Sequence, residues 1–428
     1  MFSTIRNAFK IPDLRKKLVF TILMLVVFRV GNAVTVPGID VKRVAEIMNL
    51  GGDAGLAGLY DLFSGGGLGR FSIFALSITP YITASIVIQL LTVAIPALEE
   101  MQNSGEEGRK KLLQYTRYLT VVLALIQATA MGLGFFGSAV VDNSALSKIT
   151  IVLTLTAGTA FLMWLGELIT EKGIGNGISI IIFAGIVSRI PSATIQTIQL
   201  VKNGELNLIQ IAGFLAVSLA IIVGVIMVLQ GVRKIPVQYA KRMVGRKSYG
   251  GQSTHIPMKI NQAGVIPVIF AVSVLGFPVT LGYFIKNEAY AKFVSTWFLP
   301  SGMSWGTLIY IVAEFLLVVF FTYFYISITF KPDEIADNMK NAGGFIPGVR
   351  PGKPTEEFLM TVLNRLTFAG AIFLGVIAIL PTVMSAVAKV GSFQLGGTSL
   401  LIVVGVAIET MKQIEAQMVM RHYQGFLK

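Results

Sequence analysis

"GLYDLFSGGGLGRFSIFALSITPYITASIVIQLL", Gly58 to Leu91, poses the question on which the fold turns. It opens on a short amphipathic piece, Leu59-Tyr60-Asp61-Leu62-Phe63. It then passes Ser64 and three glycines, Gly65, Gly66 and Gly67, and enters a long apolar run. Five to nine residues of helix rise only about 8–14 Å, against a hydrocarbon core of about 30 Å. A helix too short to span a membrane thus stands directly ahead of a segment long enough to do so. Such a piece cannot lie loose in lipid; it fits an external loop or a water-lined cavity.

The flanking chain sets the context. Of 428 residues, 54% are hydrophobic and 13% charged, with a mean hydropathy of +0.74. Soluble domains carry about 25% charged residues, so this is a membrane protein. Ten spans are expected, at about 18–36, 72–95, 113–136, 149–169, 178–199, 208–230, 263–285, 306–330, 363–386 and 397–419. Arg189 and Pro191 interrupt the fifth. The basic N-terminus leads into the first span without an A-x-A-like cleavage site, so no cleavable signal peptide is expected.

Charge gives the orientation. With the N-terminus inside, 25 of the 35 Lys and Arg residues fall in inside segments, nine fall outside, and Arg29 lies within the first span. The positive-inside rule then places both termini, 1–17 and 421–428, in the cytoplasm. Ten spans divide at a 201–207 connection into halves over 18–200 and 208–420. Two similar halves of five, an odd number, would have opposite orientations, the inverted-repeat plan of transport proteins. Ten unrelated helices fit the span count equally well.

Enzymatic chemistry finds no footing. There is no cysteine, and His255 and His422 lie far apart, which leaves no metal site to expect. "GEEGRK" (Gly105–Lys110) lacks the Walker A spacing, and "GIGNG" (Gly173–Gly177) does not follow a soluble strand. Charged candidates within the spans are Arg29, Glu167, Glu314 and Glu409, each explicable by snorkelling or one local hydrogen bond. Pro80, Gly185, Pro191, Pro267, Pro278, Gly370 and Pro381 punctuate the spans as packing points or kinks. Hinges are expected only in spans two and seven.

Two long inside loops stand out in a chain whose net charge is +13. The first, about 231–262, holds Arg233, Lys234, Lys241, Arg242, Arg246, Lys247 and Lys259 with no acidic residue. Gly250 and Gly251 between "PVQYAKRM" and "THIPMKI" predict a two-stranded hairpin. The second, about 331–357, presents Arg350 on the stiff turn "PGVRPG".

The opening stretch, "GEEGRKKLLQYTRYLT" (105–120), "EKGIGNGISIIIFAGIV" (171–187), "NQAGVIPVIFA" (261–271), "GGFIPGVRPGKPT" (343–355) and "GGTSLLIVVGVAIE" (396–409) together resemble the bacterial SecY/Sec61-alpha family across essentially the whole chain. The resemblance implies an all-α polytopic fold, ten spans in two inverted five-helix halves around a central pore. It implies that about 57–67, including Leu59, Tyr60, Asp61, Leu62, Phe63, Ser64, Gly65, Gly66 and Gly67, is a plug in an outer funnel, with the glycines as its hinge. It implies an apolar pore ring of Ile82, Ile86, Ile178, Ile182, Ile269 and Ile402. It implies a lateral gate between spans two and seven, carrying Pro80, Thr83, Ile86, Gln89, Asn261, Gln262 and Pro267.

The expected function is the central protein-conducting channel of a Sec translocon in the bacterial plasma membrane. Unfolded secretory proteins pass through it and transmembrane segments leave sideways into lipid. The partners implied are SecE and SecG, the SecA motor, the ribosome, signal sequences and nascent polypeptides, with the basic loops docking motor or ribosome rather than DNA. No cofactor is implied. The rival classes are a secondary transporter for a small solute, which would need a mid-membrane binding cluster, and a structural scaffold, which would not need a hinged plug.

Overall fold

The computed structural model describes residues 6, 8–50, 61, 64–204, 208–239, 242–244, 247–249, 253–282, 285, 287–298, 304–388 and 397–425. Within lipid, an apolar run can satisfy its backbone groups only internally, so it coils. The helices are α1 (Pro12–Gly31), α2 (Val41–Leu50), α3 (Thr79–Ala94), α4 (Pro96–Asn103), α5 (Glu106–Thr129), α6 (Ala145–Lys172) and α7 (Gly177–Lys202) in the first half. They continue as α8 (Leu208–Gln230), α9 (Ile266–Gly282), α10 (Glu288–Trp297), α11 (Trp305–Thr329), α12 (Pro332–Asn341), α13 (Lys353–Ala388) and α14 (Gly397–Gly425).

Ten of these, α1, α3, α5 to α9, α11, α13 and α14, occupy the ten expected spans. Six of the described helices are long and apolar enough to cross a membrane by themselves, or seven if α3 and α4, bent by 103° at Ile95, count as one. Helices α1 and α14 carry charged ends, and α9 is short. Their exposed side chains, such as Val19, Ile22, Leu23 and Val26 on α1, form an apolar outer surface. The protein is a multi-pass membrane protein.

The second span starts later than its hydropathy suggests. Ser72 is a bridge residue, 73–78 are turns, and the helix begins at Thr79. Tertiary contacts override the apolar run here. Val36 N–H donates to Phe71 O and Ile73 N–H to Val34 O, which pins the segment as a short antiparallel bridge. Phe71 and Ser77 adopt φ of 45° and 53°, which a helix cannot accommodate. Pro80 is consequently the second residue of α3, where its missing N–H costs nothing. Pro267 likewise is the second residue of α9. Neither of these prolines is a mid-helix hinge.

Two further expectations change. Helix α7 runs unbroken through Arg189 and Pro191 to Lys202. Glu314 lies fully buried in the middle of α11, and its Oε2 has no hydrogen-bond partner among the described residues. It therefore neither snorkels nor fully satisfies its carboxyl locally. Glu167 on α6 does pair, accepting from Arg117 Nε of α5 at 2.8 Å.

Small residues set how closely the helices approach. A Cβ on Gly158 of α6 would collide with the backbone oxygen of Ile73. The residue it meets is held by its own hydrogen bond to Val34 and has little freedom to retreat. Gly158→Ala is therefore expected to destabilise the purified protein by about 1–3 kcal/mol. Gly213→Ala, on α8 with open space around its Cβ, should be neutral or slightly stabilising. Thermal unfolding in detergent checks this; equal midpoints for the two variants would show that α6 does not press on Ile73.

The two long loops share one sheet. Strand β1 (Val232–Tyr239) pairs antiparallel with β4 (Ser253–Lys259), and β5 (Gly344–Phe345) from the second loop adds to the other edge of β1. Between β1 and β4, β2 (Arg242–Val244) pairs with β3 (Lys247–Tyr249), Val244 opposite Lys247. Val244 opposite Lys247 is the narrowest pairing of the hairpin among the described residues, and Gly250 and Gly251 lie outside them. Alternation places Ile235 and Val237 inward, against Met258, Met339, Ile346 and Leu359. At another point Ala8, Leu14, Ile174 and Ile414 form a small core that joins the start of α1 to α14.

Candidate functional site

Helix α7 organises the centre. Asn176 caps it, its side chain accepting from Ile178 N–H and Ser179 N–H, as expected of asparagine ahead of an apolar helix. Ile178, Ile182, Gly185 and Arg189 follow at intervals of four, three and four, and so form one stripe. The lower part of that stripe is apolar. Ile182 is buried with Ile86 of α3 and Ile402 of α14 in the largest core cluster, and Ile178, Ile82 and Ile269 pack against it half-buried. All six isoleucines singled out as a ring, from four helices, belong to this cluster, which also takes in residues such as Phe28, Leu162, Ile221 and Leu374 from across the bundle.

The upper part of the stripe, about 10 Å further along the helix at 1.5 Å per residue, meets the glycine segment. Gly66 N–H donates to Asp61 O, six residues being closed with Gly65 in the left-handed region at φ 67°. This is a helix stop of the Schellman kind, which glycine suits because it has no Cβ. A Cβ on Gly65 would lie 2.9 Å from the Cα of Gly185, and one on Gly67 would strike Asn32 Oδ1. The glycines thus serve a helix stop and two close approaches. Leu59, Tyr60, Leu62 and Phe63 lie outside the described residues.

The residues that hold this segment are ones the sequence reading passed over. Arg189 Nη1 is 2.6 Å from Asp61 Oδ2, and Gly69 N–H donates to Asp61 Oδ1 at 2.8 Å. Arg29 Nη1 of α1 donates to Gly65 O at 3.0 Å and to Ser188 Oγ at 3.2 Å. Asn32 Nδ2 donates to Ser64 O at 2.6 Å and Gly65 O at 3.2 Å, and its Oδ1 accepts from Ser72 Oγ. Arg29 and Arg189 had read as a snorkelling cation and a span breaker. The signal available in the sequence was the lone Asp61 in a glycine-rich apolar stretch, a charge that needs a cation when buried.

Helices α3 and α9 pack against each other. Pro80 and Pro267 are buried at their starts, and Ile86 reaches the central cluster. Thr83 Oγ1 donates to Thr79 O, and Gln89 Nε2 to Ser85 Oγ, within α3. Asn261 closes its own turn on Gly264 through both side-chain atoms, while Gln262 is half-buried beside it. Each of these bonds stays within its own segment, so parting the two helices would break none of them. Beside Gln89 a cavity of about 810 Å³ opens between α3, α5 and α11, lined also by Tyr81, Arg109, Leu112, Lys331 and Asn338.

On the sheet, Arg233 and Lys234 are exposed on β1. Arg242 and Lys247 lie on β2 and β3; Lys241 and Arg246 fall outside the described residues. Arg350 is exposed on a turn built by Gly348 at φ 84° and Gly352 at φ 96°. Val349 N–H donates to Ile346 O, Thr355 Oγ1 donates to Arg350 O, and Ile346 and Thr355 are buried.

The arrangement of these helices matches the fold of solved protein-conducting channels. One such channel matches with a TM-score of 0.68 at 21% identity, covering 95% of this chain and 93% of that one. Sec61 in a canine ribosome–channel complex matches at 0.65 and 20%, covering 95% and 93%. The chain belongs to the SecY family: the family model matches residues 72–411. The protein translocase subunit SecY of Streptomyces galbus is 49% identical over 447 residues, 100% of both chains.

Proposed function

We propose that the chain is the central protein-conducting channel of a Sec translocon. It passes unfolded polypeptide across the bacterial plasma membrane and releases apolar segments between α3 and α9 into lipid. The carrying observation is the full-length likeness to a protein translocase subunit SecY on a fold shared with protein-conducting channels; the presence of Ile82, Ile86, Ile178, Ile182, Ile269 and Ile402 in the central apolar cluster supports a constriction there. An apolar constriction disfavours water and ions, and it has no fixed charge to trap a chain in transit. Residues 57–67 act as the plug above it. A signal sequence, itself an apolar helix, reaches lipid by parting α3 from α9, with Thr83, Gln89, Asn261, Gln262 and the two prolines at the gate.

The termini and the β1–β4–β5 sheet face the cytoplasm, where 25 of the 35 basic residues then lie. Arg233, Lys234, Lys241, Arg242, Arg246, Lys247 and Arg350 dock the partner that drives transport. Ribosomal RNA phosphates and acidic protein surfaces both suit such cations, and a ribosome complex is known for the canine relative. SecA with ATP or the translating ribosome supplies the force, SecE and SecG complete the membrane complex, and the chain itself catalyses no reaction.

Vesicles holding the chain with SecE are expected to take up a secretory precursor only when SecA and ATP are present. A variant lacking Leu59–Gly67 should still translocate but raise resting ion conductance in a planar bilayer modestly, since the ring seals in part alone. Failure of uptake by the parent chain would overturn the channel reading. Unchanged conductance in the deletion would overturn the plug.

A further inference from the structure

The bonds to the Asp61–Gly69 segment have a common origin. Asp61 is 6% exposed, and both carboxylate oxygens are engaged, one by Arg189 and one by Gly69 N–H. The carbonyls of Ser64 and Gly65, left free by the helix stop, receive Asn32 and Arg29. Such end groups cost free energy when buried unpaired. Arg29 also reaches Ser188, so one guanidinium ties α1, α7 and the glycine segment together. Every one of these side-chain partners outside the segment comes from α1 or α7, in the first half of the chain.

We propose that Arg29, Asn32 and Arg189 form a polar latch that holds the plug at rest, with the Asp61–Arg189 pair as its strongest bond. The inference rests on reading residues 57–67 as the plug. The latch lies wholly within the first half, whereas the gate runs between α3 and α9. Parting the gate helices therefore leaves the latch closed. Release requires α1 and α7 to separate, or an entering chain to displace the segment. The latch and the gate therefore draw on different residues. Burial is what gives the pair its weight: the two side chains are 9% and 20% exposed, where a lost partner leaves a charge that water does not fully reach.

The test uses the full chain with SecE in planar bilayers, with Asp61→Asn, Arg189→Gln and the double variant. The chain has no cysteine, so Ser64→Cys, at a buried position, supplies a unique thiol for a membrane-impermeant maleimide. Each single variant is expected to raise the maleimide labelling rate at least tenfold and to raise resting conductance no further than deletion of Leu59–Gly67 does. The double variant should exceed neither single, because one bond is lost only once. Additive effects in the double variant would show that the two residues do not act as a pair and would overturn the latch. So would unchanged conductance and labelling in both single variants while deletion of Leu59–Gly67 leaks; the plug reading would then stand. If that deletion also fails to leak, the plug reading itself falls, and the latch with it.

Discussion

Ile402→Asn is expected to raise export of a precursor with a shortened apolar signal core by about tenfold. Ile402 is 1% exposed on α14 and packs in the cluster with Ile182 and Ile86. Asparagine at this position puts an amide into the apolar cluster proposed as the seal. An unpaired buried amide costs about 1–3 kcal/mol by protein mutational data, and the cost falls on the closed state. In an opened, wetted pore the amide is hydrated and the penalty vanishes. A difference between two states is what moves an equilibrium, so the variant favours opening. Weak signals, which supply little apolar binding energy at the gate, gain most. Val403→Asn, about 100° round the helix, should show no such gain. The measurement compares export by the two variants and the parent. A stably inserted Ile402→Asn channel with parental export and parental ion leak would remove Ile402 from the seal.

Arg350→Glu should stop motor-driven transport while leaving folding and insertion intact. The turn around Arg350 is held by backbone bonds and by buried Ile346 and Thr355, none of which involves the guanidinium. The exposed side chain is thus free for a partner. Breaking one charged, hydrogen-bonded pair at an interface costs about 2–5 kcal/mol, and reversal adds repulsion. Binding of SecA to vesicles holding the variant should weaken by at least about 30-fold. Arg350→Lys should fall between parent and Arg350→Glu, because lysine keeps the charge and loses the planar fork. Normal precursor uptake by Arg350→Glu at physiological salt would exclude this turn from docking.

These two residues differ in how they could be found. Arg350 stands out in the sequence, since "PGVRPG" confines an arginine to a stiff turn whatever the chain does elsewhere. Ile402 does not stand out, because isoleucine is common in any membrane helix and its spacing carries no direction toward a pore. Its placement in a central cluster with Ile86 and Ile182 comes only from the tertiary structure, since these lie hundreds of residues away in sequence order. Arg29 and Arg189 were hidden for the same reason. Each read alone is a cation at the end of an apolar run; their roles depend on a segment of the chain brought between α1 and α7.

Sequence alone determined the number and approximate limits of the membrane helices, the concentration of basic charge in alternate loops, and a run of conformationally free glycines at 65–67. Those properties are local: hydropathy over about 20 residues, the cost of a charge in lipid, and the backbone freedom of glycine act within a few turns of chain. Tertiary structure decided the rest. It held residues 72–78 out of the helix through the bridge to Val34–Val36, joined the two long loops in one sheet through β5, carried α7 straight past Pro191, and set Arg189 against Asp61 across 128 positions. Each of those outcomes depends on which segments become neighbours. Pairing between distant segments is rewarded only once the bundle has closed, so the local pattern of residues leaves it open.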